Sequence, residues 1–290
     1  MEYALELSGV SKTYNHFRLN NVSFKVPKGS IMGFVGENGA GKSTTIKAIL
    51  NLIHLESGEI RVLGMDNVKD QLAIRNQIGV VFDESFFHEE LSVLDISKIM
   101  KHIYPNWEED TFFRYAENFK LPKDKIVKEY SRGMKMKLSI AVALSHQAKL
   151  LILDEPTSGL DPVVRDEILD IFLDFIQNEE HTILISSHIT SDLEKVADYI
   201  TFIHDGNVIL SESRDSLIEN YGVVKCKKED YEKLDRDHII GIRKNQFGYE
   251  VMINNKKEIQ KSMNQRKFGS DFYLDNTTIE EIILYKVRGE

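Results

Sequence analysis

One stretch of the sequence has the residue types and the spacing needed to grip a polyphosphate. It reads Gly36-Glu37-Asn38-Gly39-Ala40-Gly41-Lys42-Ser43, is followed by Thr44, and lies between an apolar strand pattern and a helical one. The glycines let backbone N–H groups approach phosphate oxygens, and the start of the following helix adds a positive dipole. We expect Lys42 to reach the terminal phosphates and the Ser43 hydroxyl to be a ligand of Mg²⁺. The motif predicts a nucleotide site.

A pair of acids follows a second apolar stretch. Leu150–Leu153 reads as a buried strand and is followed directly by Asp154 and Glu155. Ligands of parallel sheets lie at the carboxyl ends of the strands, where these acids emerge. Asp154 would hold Mg²⁺ directly or through water, and Glu155 would polarise an attacking water, a role worth about 10²- to 10⁴-fold in rate. The alternative is that the two acids only open an exposed turn before Pro156.

The elements that position these residues alternate between strand and helix. Early strand patterns cover Tyr3–Val10, Val22–Val26 and Ser30–Val35, and a helix is predicted over Ser43–Ile53. Further apolar, strand-length runs cover Ile78–Phe82 and Thr182–Ser186. Strands that alternate with helices predict an α/β fold with a central parallel sheet and crossover helices.

The rest of the chain divides by pattern. Residues 91–143 have helical spacing, and Asp205-Gly206-Asn207 predicts a hairpin between two short strands. After about residue 215 the sequence has short strand and helix patterns without a chemical motif. We therefore expect a main domain over 1–220 and a small α+β accessory domain over 221–290.

Composition limits the surroundings and partners of the protein. The chain has 290 residues, a formal net charge of −9 and one cysteine, Cys226. A single cysteine excludes an internal disulfide, and the negative charge argues against nucleic acid as a main partner. The start of the sequence does not read as a signal peptide, and no apolar run reaches the ~18 residues of a membrane span. We expect a cytoplasmic protein that reaches a membrane only through another polypeptide.

Residues 3–215 resemble the nucleotide-binding domain of ABC transporters. The distinguishing motif of that family is a signature loop, matched here by Tyr130–Met134 (Tyr-Ser-Arg-Gly-Met), with Ser131 and Gly133 kept. The resemblance implies that Ser131, Gly133 and Met134 bind the ATP of a second subunit, so that each site is shared across a dimer interface. It also implies a P-loop NTPase fold with an antiparallel β-subdomain and a helical subdomain over about 84–145.

Other family motifs follow in order. Residues Ser158–Asp161 resemble the D-loop, which crosses the dimer interface, and His188 resembles the switch histidine that contacts the γ-phosphate. Tyr14 stands where the family places an aromatic ring on adenine. A lone histidine after a strand is commonly structural, and a tyrosine in an early loop is a weak signal, so both roles rest on the resemblance.

One position departs from the family pattern. Asp83 stands where most members have the Q-loop glutamine. A carboxylate can still reach Mg²⁺ or its water, but it only accepts hydrogen bonds, whereas an amide also donates them. Either Asp83 belongs to the metal site or it contributes nothing to it.

The resemblance implies an ATP-hydrolysing subunit of a bacterial exporter with a separate transmembrane permease, at the cytoplasmic face of the membrane. The similar members export peptides, antibiotics and related amphipathic compounds, as the phenol-soluble modulin and bacitracin types do. The ATPase dimer could be homomeric or heteromeric.

One alternative is a soluble ABC ATPase of ribosomes or DNA. Only 89 positions separate Lys42 from Ser131, which leaves no room for the coiled coil of repair enzymes. A nucleotide sensor with little turnover is the other alternative, and the retained Glu155 and His188 argue against it.

Overall fold

The computed structural model describes residues 2–84, 86–246, 248–265 and 267–288 and divides the chain into two compact units, Met1–Leu210 and Ser211–Glu290. The strands are β1 (Tyr3–Tyr14), β2 (Phe17–Pro27), β3 (Ile31–Val35), β4 (Ser57–Val62), β5 (Met65–Asp66), β6 (Ile78–Val81), β7 (Leu150–Asp154), β8 (Thr182–Ser187), β9 (Tyr199–His204), β10 (Asn207–Ser213), β11 (Gly222–Cys226), β12 (Ile239–Asn245), β13 (Gly248–Ile253) and β14 (Tyr273–Asp275). The helices are α1 (Lys42–Ile49), α2 (Gln71–Arg75), α3 (Val93–Ile103), α4 (Glu109–Asn118), α5 (Arg132–Leu144), α6 (Pro162–Phe175), α7 (Thr190–Val196), α8 (Arg214–Asn220), α9 (Lys228–Tyr231), α10 (Lys256–Asn264) and α11 (Ile279–Arg288).

The central sheet of the first unit has the strand order β10-β9-β3-β8-β7-β6. The pairs from β9 through to β6 are parallel, and β10 joins the edge through the Asp205-Gly206 hairpin. Strands β3, β7 and β8 are buried along their whole length, which explains their continuous apolar runs. The predicted α/β fold with a central, mostly parallel sheet is confirmed.

A second, antiparallel sheet has the order β2-β1-β4-β5. Strand β1 runs on to Tyr14 and β2 starts at Phe17, so both are longer than their patterns predicted. The pairing register of β1 with β2 shifts between Leu7 and Val10, where Gly9 has a φ of 64°. Such a bulge interrupts the alternation of buried and exposed positions, and this hid the second half of β1.

The helical segment consists of α3, α4 and α5 around its own apolar core. Phe112, Ala116 and Leu138 are fully buried there. The helical pattern over 91–143 was predicted as one stretch, but turns and a 3₁₀ segment at Val127–Glu129 divide it. Helix α1 also ends earlier than predicted, because Asn51 adopts a left-handed φ of 53°.

The second unit has an antiparallel sheet of order β12-β13-β11-β14. The chain order is βαββαβ, with short helices before β12 and before β14, which is the ferredoxin-like topology. Leu234 and Ile259 cover one face of the sheet, and Tyr285 of α11 packs at Gly241 on the other face.

The boundary between the units lies after Leu210, whereas the sequence suggested 220/221. Helix α8 belongs to the second unit, since the Lys256 ammonium donates to the Ile218 carbonyl at 3.0 Å. Separately, no helix in the described part of the chain is long and apolar enough to span a bilayer.

Candidate functional site

The phosphate loop, Gly36–Ser43, connects the end of β3 to the start of α1. A Cβ atom on Gly36 would lie 2.6 Å from the Ile203 carbonyl oxygen, and one on Gly41, at φ 113°, would lie 2.8 Å from Phe17 and Leu19. Only glycine fits these two positions. The backbone therefore forms the inner wall of the loop, as phosphate binding through N–H groups requires.

Lys42 is the point where the predicted site residues meet. The side chain is 5% exposed, and its ammonium donates to the Gly36 carbonyl at 2.6 Å and to the Glu37 carbonyl at 3.2 Å. Glu155 Oε1 lies 3.1 Å from the same nitrogen, but out of line for a hydrogen bond. Two residues more than a hundred positions apart thus form one buried ion pair.

The two acids at the end of β7 have different environments. Asp154 is 4% exposed, and the Ser186 hydroxyl donates to its Oδ1 at 2.5 Å. Glu155 has a left-handed φ of 53°, and its N–H donates to the Ser186 hydroxyl at 3.1 Å. A non-glycine residue in this conformation costs about 1–3 kcal/mol, and such strain concentrates at functional sites. Ser186 thus orients both acids.

His188 completes a connected network. Its Nδ1 lies 2.7 Å from Glu155 Oε2, so that the ring donates to the carboxylate when Nδ1 carries the proton. The His188 backbone N–H also points at that oxygen, at 3.4 Å. Lys42, Glu155 and His188 therefore form a continuous chain, with the ring partly exposed at its end.

The sequence implies Mg²⁺ ligated by Ser43 and Asp154. Both offer hard oxygen atoms, the ligand type that Mg²⁺ prefers, and Ser186 orients the carboxylate as outer partners of metal ligands commonly do. Ser43 and Thr44 lie in the first turn of α1, and Ser43 is exposed. The donor set fits the ion. Among the described residues, no cluster of three or more His, Cys, Asp or Glu side chains could hold a metal.

Tyr14 and Asp83 lie at the margins of this network. Tyr14 ends β1 and is 44% exposed, with the Lys12 ammonium 5.6 Å from its ring centroid. Its hairpin partner Phe17 reaches Gly41 of the phosphate loop. Asp83 is exposed in a cavity of about 550 Å³ that Glu84, Arg132 and Lys135 also line.

The signature residues form a second cluster around the start of α5. The Ser131 hydroxyl accepts from the Met134 N–H at 3.2 Å and so caps the helix. A Cβ on Gly133 would lie 3.3 Å from Val164 of α6, whose N-cap is the exposed Asp161. Among the described residues, Lys42 contacts Gly36, Glu37 and Glu155, and Asp154 accepts from Ser186, so the signature cluster is separate from the Lys42 network.

Sequence reasoning missed three features of the site. Ser186 was assigned only to a strand, although a hydroxyl at the end of the neighbouring strand was a usable signal. The guanidinium of Arg132 lies against Gly159, where a Cβ would come within 2.7 Å of Nη1. Arg165 of α6 and the buried Asp192 of α7 form an ion pair. No pattern in the sequence pointed to these last two contacts.

A glycine-rich loop after a central parallel strand, with a carboxylate pair ending a neighbouring strand, defines a P-loop nucleoside triphosphatase. A family profile for ABC transporters matches residues 19–158. The lantibiotic transport ATP-binding protein SrtF of Streptococcus pyogenes is 37% identical over 214 residues, which cover 73% of this chain and 91% of SrtF. The chain belongs to the ABC transporter ATP-binding proteins, and it is an ATP hydrolase of that family.

Two further relatives extend the comparison. The ABC transporter ATP-binding protein YtrB of Bacillus subtilis is 27% identical and aligns over 99% of both chains, so that the alignment includes the second unit. A solved ATP-binding subunit of an ABC transporter superposes with a TM-score of 0.65 at 28% identity, over 74% of this chain and 91% of that one. The predicted family and fold are confirmed.

Proposed function

We propose that this chain powers an exporter by binding and hydrolysing ATP as one half of a dimer. The observation that carries the proposal is the connected network of Lys42, Glu155 and His188 beside the phosphate loop. A nucleotide sensor needs a phosphate grip but no base. The pairing of a strained carboxylate with a histidine favours turnover over the sensor alternative.

The residues of the network divide the work of phosphoryl transfer. The phosphate loop N–H groups and Lys42 bind the β- and γ-phosphates, and Tyr14 stacks on adenine. Ser43 and Asp154 would hold Mg²⁺, which would neutralise developing charge. Asp83 is the remaining candidate for the metal or its water. Glu155 orients the attacking water and accepts its proton, while His188 holds the carboxylate and faces the γ-phosphate.

A second subunit completes each site. Ser131 and Asp161 are exposed at the starts of α5 and α6. A helix start with free backbone N–H groups suits the γ-phosphate of a nucleotide held by a partner. Gly133 supplies such a group beside Ser131. The Met134 N–H donates to the Ser131 hydroxyl and would turn to the phosphate when the partner's nucleotide binds. We therefore propose a face-to-face dimer, with either a second copy or a related ATPase.

A transmembrane permease is the proposed second partner. An apolar groove of about 350 Å³ lies beside α2 and the end of α3, and its lining includes Leu52, Leu72 and Ile103, which are 55%, 76% and 56% exposed. Large exposed apolar side chains that gather in a groove typically mark a protein contact. A permease seated there would place this chain at the cytoplasmic face of the membrane.

The cargo is proposed from the relatives. SrtF is named for lantibiotic transport. We propose a peptide or a similar amphipathic toxic compound, with the permease selecting it. The alternative role on ribosomes or DNA has no observation in its favour.

Glu155→Gln tests the function directly. The amide keeps the shape of the side chain but cannot accept the proton, so we expect kcat to fall by about 10²-fold or more while ATP still binds. The variant should accumulate as an ATP-bound dimer, measured by size-exclusion chromatography with Mg²⁺ and ATP.

The matched control is Glu59→Gln, the same change at an exposed carboxylate on β4, outside the phosphate loop. It should retain turnover within about threefold, because a solvated side chain contributes little. Undiminished hydrolysis by Glu155→Gln would remove the residue from its role. A wild-type chain without Mg²⁺-dependent turnover would refute the motor.

A further inference from the structure

Two helices, α6 and α7, begin directly after the D-loop and after the switch histidine. Helix α6 begins directly after the D-loop, Ser158–Asp161, and α7 begins at Thr190, just after His188. The two helices pack against each other. Any change in their spacing therefore moves the D-loop relative to the switch histidine.

A charged pair lies inside this helix contact. Asp192 of α7 has a side chain only 3% exposed, and its Oδ1 lies 3.7 Å from Nη1 of Arg165 on α6. Nη2 of the same arginine donates to the Leu160 carbonyl of the D-loop at 3.5 Å. Arg165 thus contacts both the D-loop and the helix that follows His188.

The distance between Arg165 and Asp192 is long for an ion pair with so deeply buried a carboxylate. In the described part of the chain, the buried side-chain atoms without a hydrogen-bond partner are Glu155 Oε1, Thr157 Oγ1, Arg165 Nε, Asp192 Oδ2 and Asn255 Oδ1. The first four belong to the segment between Glu155 and Asp192. Glu155 Oε1 still faces the Lys42 ammonium at 3.1 Å. Buried polar groups are normally paired, and a segment with several atoms that lack a hydrogen bond is a place where a different arrangement would be more favourable.

We propose that Arg165 and Asp192 are positioning residues for ATP hydrolysis, which couple the D-loop to the helix carrying the switch histidine. A movement of about 1 Å would convert the 3.7 Å contact into a charge-assisted hydrogen bond near 2.8 Å. That movement would bring the D-loop residue Leu160 and helix α7 closer together. The position of the D-loop would therefore set the distance between His188 and Glu155. The inference rests on the roles proposed above for Glu155 and His188.

Asp192→Asn is the main test, in the purified full chain with Mg²⁺ and ATP. It preserves shape but removes the charge that attracts Arg165. We expect kcat to fall about tenfold or more while KM for ATP stays within about twofold, because the pair orients the hydrolytic residues without touching the nucleotide. Arg165→Lys should behave similarly, since an ammonium cannot reach both partners.

The same two helices provide a matched control. Lys195 of α7 pairs with Asp166 of α6 at 2.7 Å, but both side chains are more than half exposed. Lys195→Gln should leave kcat within about twofold, because exposed pairs contribute little. An equal loss in Asp192→Asn and Lys195→Gln would overturn the proposal.

A double variant separates positioning from folding. Arg165→Met with Asp192→Leu replaces the buried pair by apolar side chains, an exchange that commonly maintains or raises stability. We expect a folded protein with its melting temperature near that of wild type and kcat still low. Recovery of kcat together with stability would show that the pair is only structural.

Glu155→Gln in the same assay distinguishes a failure of this inference from a failure of the proposed function. If that variant loses turnover while Asp192→Asn keeps its full kcat, this inference alone is wrong. If the wild-type chain has no turnover or Glu155→Gln retains it, the proposed function fails first.

Discussion

At the scale of single residues, Arg132 shows how a departure from a family motif fits the fold. It stands in the signature loop where the commonest family form has glycine, and its guanidinium lies against Gly159 of the D-loop. Gly159 has a φ of 66°, a conformation that side chains rarely adopt. The arginine therefore occupies space that exists only because residue 159 has no Cβ.

Gly159→Ala should disturb this contact. The new methyl group would meet Nη1 of Arg132 at 2.7 Å, so the end of this flexible side chain would have to move away from the D-loop. Gly64→Ala is the matched control, since Gly64 has a similar φ of 78° but an added Cβ there has nothing within 4 Å. Both variants should lose about 1 kcal/mol of stability from strain. Only Gly159→Ala should also lower ATPase activity, by about threefold or more.

The combination of Gly159→Ala with Arg132→Ala tests the cause. It removes the collision, so activity should return to the level of Arg132→Ala alone, a dependence expected of residues in contact. Equal ATPase losses in Gly159→Ala and Gly64→Ala would contradict the interpretation.

The role of Asp83 stays a prediction, because the structure places it with Glu84, Arg132 and Lys135 rather than in the Lys42 network.

At the scale of elements, three helix starts of the first unit are capped differently. Ser92 caps α3 in a capping box with Asp95, and Ser131 caps α5 through the Met134 N–H. Asp161 precedes α6 without a side-chain cap bond, and Pro162 fills the first position. Ser131 therefore has a structural duty besides its proposed phosphate contact, whereas Asp161 does not.

Replacement by alanine should separate stability from function at these starts. Ser92→Ala should lower the free energy of unfolding by about 1 kcal/mol without changing kcat, since it removes a cap away from the site. Asp161→Ala should cost less stability, yet it should lower ATPase activity if the D-loop crosses the dimer interface. Chemical denaturation and ATPase assays on the same preparations would check both effects. Unchanged activity in Asp161→Ala would argue against the interface role.

Elements differ in how much of them the sequence could predict. The buried strands β3, β7 and β8 were recognisable because continuous apolar runs are long enough to stand out. Helices α2 and α7 were not predicted, since Gln71–Arg75 and Thr190–Val196 are at most two turns long and show no period. Their existence depends on the tertiary contacts that stabilise them.

At the scale of the whole molecule, the two units differ in how much of them the sequence predicted. The first carries every predicted site residue, from Tyr14 to His188. The second has a ferredoxin-like topology that its mixed patterns did not reveal, because strand order is set by pairings distant in sequence. Its presence in the alignment with YtrB shows that it is not peculiar to this chain.

Global stability should depend on pH through His146 in the first unit. The ring is 1% exposed, lies 2.9 Å from the Ile78 carbonyl through Nε2 and stacks on Tyr104. Burial lowers the pKa of His146 below its ordinary 6.5, although two carbonyl contacts oppose the shift. The unfolded chain therefore takes up a proton at a higher pH than the folded one.

The sign follows from this difference. The contribution of His146 is fully present above pH 6.5 and is lost progressively as the pH falls toward the lowered folded-state pKa. Unfolding free energies measured between pH 7.5 and about 5 should decline more steeply in wild type than in His146→Asn, which cannot titrate. Parallel declines in the two proteins would contradict the assignment.

The sequence by itself determined the chemistry of this protein. The phosphate loop, the Asp154-Glu155 pair and the signature residues each lie within a few positions, so their local order carries the information. Only the tertiary structure decided which of them meet. Lys42, Glu155 and His188 are joined because β3, β7 and β8 are neighbours, and Arg165 reaches Asp192 because α6 packs on α7. Contacts between distant segments depend on packing, which no local pattern encodes.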